Sequence, residues 1–121
     1  MFEIRRVQGG ARGRSSGSAW GGFAWAVATS DDPVADMYRQ TCNALAKLDG
    51  ILADLDTDKT RLVNVTVYVD KIQLKAEMDR AWCEWIGDDP VNWPQRACIE
   101  ARLYKYDLVE IVAIAATPAT D

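Results

Sequence analysis

Between Leu108 and Ala116 the chain reads LVEIVAIAA, and this run constrains the fold more than any other. Ile111, Ala113 and Ala115 alternate with Val112, Ile114 and Ala116. Successive side chains of a strand point to opposite faces, so a strand here is apolar on both sides and both faces of its sheet need cover. The stretch VNVTVYV at positions 63–69 alternates in the ordinary one-sided way. It sets Val63, Val65, Val67 and Val69 against Asn64, Thr66 and Tyr68, the pattern of a strand with one apolar face.

Two segments carry the longer period of a helix. After TSDDP, where Ser30, Asp31 or Asp32 can cap free amides and Pro33 suits a first turn, Met37, Ala44, Leu45, Leu48 and Leu52 recur at helical spacing while Asp36, Arg39, Lys47 and Asp49 face elsewhere. A polar connection, DLDTDKTRL, follows. The second helix is expected from about Gln73 to Ile86, with Leu74, Met78, Ala81, Trp82 and Trp85 on one stripe and Gly87 as its stop.

The rest reads as strand and turn. A short strand, Phe2 to Val7, precedes the loop GGARGRSSGS. A hairpin between Ser18 and Ala28 turns at Gly21-Gly22, a dipeptide suited to the positive φ angles of a tight turn. A strand from Ala97 to Leu103 is expected to return through Tyr104–Asp107 as a hairpin with the final strand. The order is β-β-β-α-β-α-β-β, an α+β two-layer sandwich whose mixed sheet carries both helices on one face. With no third helix to cover the other face, the apolar pattern predicts self-association into a homo-oligomer.

Size and composition narrow the function. At 121 residues the chain, 1–121, is expected to form one domain. Its 14 basic and 18 acidic residues leave a net charge of −4, the wrong sign for a phosphate-binding surface, so nucleic acid is not an expected partner. The absence of histidine excludes a histidine-dependent triad. Cys42, Cys83 and Cys98 are odd in number and lack zinc-binding spacing, so free thiols are expected. No apolar run approaches the roughly 20 residues of a membrane span, and MFEIRR lacks the apolar stretch of a secretion signal. No membrane partner and a cytoplasmic location are the simplest expectations.

The candidate residues cluster at WPQRAC. The restricted Trp93-Pro94 corner would aim Arg96 from a strand entrance, on the uncovered side of the sheet, and a fixed guanidinium grips carboxylates bidentately. A salt bridge explains an arginine equally well. Cys98, two residues on, shares that strand face and suits a small pocket-lining residue. Of the five tryptophans only Trp93, beside the arginine, is a pocket candidate; the others are expected in core and interface. Glu110, a carboxylate within an apolar strand, is costly unless solvated, paired or kept as a base or water-holder. Arg102 across the expected hairpin is one such pairing. The single RGR at Arg12–Arg14, in an acidic chain, is weak support for RNA binding.

The segment from Arg61 to Ala116 resembles the reactive intermediate deaminase family (RidA, also YjgF/YER057c/UK114). The likeness lies in VNVTVYVD, the methionine-containing helix ending in aromatics, P-x-R before an alternating strand, and VEI-x-A-I-A. It implies a chorismate-mutase-like fold in a homotrimer, with sheets forming a central barrel and a cleft at each subunit interface. It also implies hydrolytic deamination of reactive 2-imino acids or their enamine tautomers to 2-keto acids and ammonia, with no metal or organic cofactor. By that resemblance Arg96 grips the substrate carboxylate, Cys98 lines the cleft and Glu110 holds or activates the attacking water. Where the family carries S-G-Q, this chain has AVATSDD, which leaves the amide of Ala28 or its neighbour to meet the carboxylate. Ser15 and Ser16 stand where the family has a cleft tyrosine. The resemblance also admits a non-catalytic ligand-binding trimer, acting as a metabolite sensor or partner platform. The ribonuclease and translation-inhibitor labels of some members give a third reading.

Overall fold

The strand with two apolar faces lies inside the sheet. The computed structural model describes residues 3–118, so Phe2, where the first strand was expected to begin, lies outside the described residues. Six strands, β1 (Arg5–Gln8), β2 (Ser15–Trp20), β3 (Phe23–Thr29), β4 (Leu62–Val69), β5 (Gln95–Glu100) and β6 (Val109–Ala116), are joined by two helices, α1 (Met37–Asp54) and α2 (Lys75–Ile86). The sheet order is β1-β2-β3-β6-β4-β5. Only β4 and β5 are parallel; β6 runs antiparallel to both its neighbours, β3 and β4.

That order overturns the expected C-terminal hairpin. The β4–α2–β5 unit is a parallel crossover, which needs a helix-length connection. The chain then returns through the Tyr104–Asp107 turn and places β6 on the other side of β4. The half-polar strand β5, whose Gln95, Ala97, Ile99 and Glu100 are exposed, takes the edge, and the doubly apolar β6 the interior. Strand β5 also ends at Glu100, short of the expected Leu103.

Both helices cover one face, as the periodicity predicts. Met37, Ala44, Leu45, Leu48 and Leu52 of α1 and Met78, Ala81 and Trp82 of α2 are buried. All of these except Ala81 meet Ala24, Ala26 and Ala28 of β3, Val65, Val67 and Val69 of β4, and Val109, Ile111, Ala113 and Ala115 of β6 in one core cluster. Removing a fully buried leucine such as Leu48 from such a core costs about 2–5 kcal/mol. Buried Gln40 on the same helix face is fully engaged. Its side-chain amide donates to the Tyr106 carbonyl at 2.9 Å, and its carbonyl accepts from the Leu108 N–H at 2.8 Å. These bonds tie the β5–β6 turn to α1 and meet the requirement that buried polar groups be paired.

Two local expectations change. Helix α1 is capped by Asp36, whose carboxylate accepts from the Arg39 N–H at 2.8 Å. The upstream Ser30 and Asp32 side chains accept from the Asp32 and Val34 N–H groups instead, closing a tight turn that cannot also be a helix start. In β4 the pairing with β6 slips between Leu62 and Asn64. A one-residue slip changes which side chain faces inward, so Leu62 is buried and Val63 is 45% exposed.

The opposite sheet face is uncovered in the single chain. Trp20, Phe23, Trp25, Val27 and Ile99 stand on it, with Trp20 52% exposed. Such a contiguous apolar surface marks an interaction face. Among the described residues no helix is long and apolar enough to cross a membrane.

Candidate functional site

The register decides which face each candidate occupies. Arg96 pairs with Val65 and Cys98 with Val67, and both valines point into the helix-covered core. Arg96 and Cys98 therefore share a face, but it is the helix side rather than the open side. The reason is topological: β5 joins the sheet beside β4 in parallel, so residues in line with Val65 and Val67 look toward α2.

There Arg96 meets a cluster on α2. Its Nη2 donates to Asp79 Oδ1 at 2.6 Å, its Nη1 lies 3.6 Å from Met78 Sδ, and its guanidinium stands 5.2 Å from the centre of the Trp82 ring. Lys75, one helical turn before Asp79, donates to Asp79 Oδ2 at 2.7 Å. The Arg96 side chain is 16% exposed and that of Asp79 31%. Burial pushes the Asp79 carboxyl up, but hydrogen bonds from Lys75 and Arg96, with their charges, outweigh it and hold the group below its usual range. The guanidinium is thus oriented by an internal ion pair with Asp79.

Cys98 packs against the core from the same face. Burial pushes its thiol above the ordinary value despite the nearby Arg96 and Lys75 charges, which keeps it protonated at neutral pH and suits a wall rather than a nucleophile.

Glu110 lies on the other face. It pairs with Thr29 on one side and Tyr68 on the other, in line with half-buried Val112 and Ile114. Among the described residues it makes no ion pair or hydrogen bond. The expected partner Arg102 is out of reach of the register, because β4 separates β5 from β6. In one chain, then, the guanidinium and the carboxylate are on opposite sides of the sheet.

The remaining candidates also separate. Ala28 is buried in the core opposite Ile111. Trp93 is exposed and its Nε1 donates to the Gly87 carbonyl at 2.9 Å, closing the turn after α2; the aromatic ring beside Arg96 is that of Trp82. Ser15 lines an open cavity of about 590 Å3 with Arg6, Arg14, Ser16, Ser18 and Trp25, under the β1–β2 loop. Sequence reasoning missed Asp79, Lys75 and Trp82 as neighbours of Arg96. The i, i+4 spacing of Lys75 and Asp79 beside the apolar stripe was the available signal. No group of three or more histidine, cysteine or acidic residues suited to a metal ion occurs among the described residues.

The profile of the family described as Endoribonuclease L-PSP matches residues 21–117, from the β2–β3 turn to just past β6. A RutC family protein of Haemophilus ducreyi is 45% identical over 95 residues, covering 78% of each chain. The chain belongs to the RidA/YjgF family. A second RutC family protein, from Haemophilus influenzae, is 34% identical over 79 residues, covering 64% of this chain and 66% of its own. A crystal structure of a YjgF family member from Neisseria meningitidis superposes with a TM-score of 0.89 at 26% identity, covering 98% of each chain. The RidA/YjgF assignment agrees with the two helices packed on a mixed six-stranded sheet and with the resemblance drawn from VNVTVYVD, P-x-R and VEI.

Proposed function

We propose that this RidA/YjgF protein hydrolyses reactive 2-imino acids, or their enamine tautomers, to 2-keto acids and ammonia in clefts between the subunits of a homotrimer. The observation that carries this reading is the division of labour across the sheet. An oriented guanidinium, Arg96, stands at the edge strand, while an unpaired carboxylate, Glu110, stands on an apolar face that needs cover. Packing a second copy against the open face is the arrangement that brings the two to one cleft.

The chemistry asks little of the protein. Arg96 binds the substrate carboxylate, with Trp82 and the protonated Cys98 as wall. Glu110 of a neighbouring copy holds a water against the imine carbon. The water oxygen bonds to that carbon as the C=N electron pair moves to nitrogen, the protons of the water pass to nitrogen, and the resulting carbinolamine expels ammonia to leave the keto acid. Holding water and electrophile together makes the encounter effectively intramolecular, and a carboxylate is a sufficient base for so electrophilic a centre. The net charge of −4 and the lack of histidine give no support to RNA cleavage.

The Arg96–Asp79 ion pair favours a second reading, a trimer that binds 2-keto or 2-imino acids without turning them over, because an incoming carboxylate must share the guanidinium with Asp79. One experiment separates the two. Imines generated by an amino-acid oxidase are supplied to wild type, Arg96→Ala, Glu110→Gln, and the two variants refolded together. The deaminase reading expects faster keto-acid release with wild type, loss in each variant, and partial recovery in the mixture. A wild-type rate equal to the spontaneous one overturns it, and saturable Arg96-dependent binding of 2-keto acids would then select the binding-only reading.

A further inference from the structure

Asp79 already does to Arg96 what a substrate carboxylate would do. Its Oδ1 accepts from Arg96 Nη2 at 2.6 Å, and its Oδ2 accepts from Lys75 Nζ at 2.7 Å. One carboxylate is shared between two cations, and the two attachments are not equivalent. Lys75 and Asp79 stand one turn apart on α2, whereas Arg96 reaches Asp79 from β5. An i, i+4 pair is set by its own helix, so the bond across to β5 is the one a ligand can exchange.

Exchange leaves no charge stranded. When a ligand carboxylate replaces Asp79 on the guanidinium, Lys75 still neutralises Asp79, and it is the ion left without a partner that makes breaking a buried pair costly. Arg96 and Lys75 against Asp79 leave the cluster one positive charge, which one added carboxylate cancels. The displaced Asp79 also stays in place, tethered by Lys75 beside the guanidinium and so beside whatever the guanidinium holds. In a 2-imino acid the carbon next to the carboxylate bears a nitrogen; in the 2-keto acid product it bears an oxygen. An ionised carboxylate only accepts hydrogen bonds. It meets an imine N–H, above all in the protonated form, with a charge-assisted bond, and it repels the lone pairs of a keto oxygen. Met78 and Trp82, the other groups flanking the guanidinium at 3.6 Å and 5.2 Å, offer no comparable acceptor.

We propose that Asp79 is a specificity-determining residue of the Arg96 site, admitting carboxylates that carry a nitrogen donor on the adjacent carbon in preference to those that carry only a carbonyl there. The proposal rests on the reading of Arg96 as the substrate anchor and adds two consequences to it. Substrate is favoured in its protonated, more electrophilic form, and the keto acid, once formed, is exchanged out by Asp79. A site built to hydrogen-bond an N–H discriminates strongly against an analogue that lacks it.

Oxamate and pyruvate make the test, because they share shape and charge and differ by an amide NH2 in place of a methyl group. Both are titrated by calorimetry at neutral pH into wild type, Asp79→Asn, Lys75→Met and Arg96→Ala. Wild type is expected to bind oxamate about tenfold or more tighter than pyruvate, the scale of one hydrogen bond to a charged group. Asp79→Asn should close most of that gap, chiefly by binding pyruvate tighter, and Arg96→Ala should bind neither. Lys75→Met should keep the preference but weaken both ligands, since Asp79 then has only Arg96 to pair with, and this variant decides the matter if Asp79→Asn does not fold. Equal affinities in wild type, a preference that survives Asp79→Asn, tighter pyruvate binding by Lys75→Met, or no binding of either ligand overturns the proposal. Turnover plays no part in this readout. A wild type that prefers oxamate but leaves imine hydrolysis at its spontaneous rate refutes the deaminase reading alone, and one that speeds hydrolysis yet binds the two ligands equally refutes the role of Asp79 alone.

Discussion

Replacing Asp79 with Asn should destabilise the fold in a way that depends on pH. The substitution keeps the size of the side chain and an acceptor oxygen for Arg96 but removes the charge. The hydrogen bond to be weakened is 2.6 Å long, between side chains 16% and 31% exposed. With charge centres about 4 Å apart and an effective dielectric near 20, the gross attraction is about 4 kcal/mol. Desolvation of two partly buried ions removes a large share of it. Exposed pairs net about 0–1 kcal/mol and broken buried ones cost about 3–5 kcal/mol, so a pair between those limits should cost about 2 kcal/mol at neutral pH. The folded-state carboxyl of Asp79 is held below its usual range. Its charge therefore contributes stability above the unfolded value of about 3.9, and the contribution is lost as pH falls through the lower folded value. Urea unfolding of both proteins across neutral to strongly acidic pH measures the difference. A gap that is absent at neutral pH, or that stays constant through the acid range, would refute an electrostatic role for Asp79.

Two other outcomes follow from packing. A Cβ at Gly17 would lie 2.6 Å from Ile51 Cγ2 and 3.0 Å from the Trp25 carbonyl oxygen, so Gly17→Ala should destabilise by about 1–3 kcal/mol through overpacking between β2 and α1; an unchanged urea midpoint would contradict that close approach. Cys83 is exposed, whereas Cys98 is half-buried with its thiol pushed up by burial, so iodoacetamide followed by peptide mass spectrometry should label Cys83 well before Cys98. Equal labelling rates in the folded protein would argue against the burial of Cys98.

Much of the fold was legible because two signals are local. The 3.6-residue period of Met37, Ala44, Leu45, Leu48 and Leu52 and the two-residue period of Val65, Val67 and Val69 each depend only on neighbours in the chain, and both faces came out as read except at Val63, which the register slip turns outward. The helix start was misplaced because three residues of TSDDP can each cap a helix, and the choice between them and Asp36 depends on where α1 docks. The P-x-R and VEI motifs located Arg96 and Glu110 in sequence. They carried nothing about Asp79, since an ion pair between β5 and α2 leaves no trace in the order of residues beyond a suitable charge.

What the sequence determined by itself was the set of elements, their apolar faces, and the need of LVEIVAIAA for cover on both sides. Only the tertiary structure decided that β6 enters between β3 and β4 rather than beside β5. Strand order is a choice among long-range pairings that local alternation does not distinguish. That one choice turned Arg96 toward α2 and Glu110 toward the open face, because the side on which a residue emerges follows from the register of its strand within the sheet.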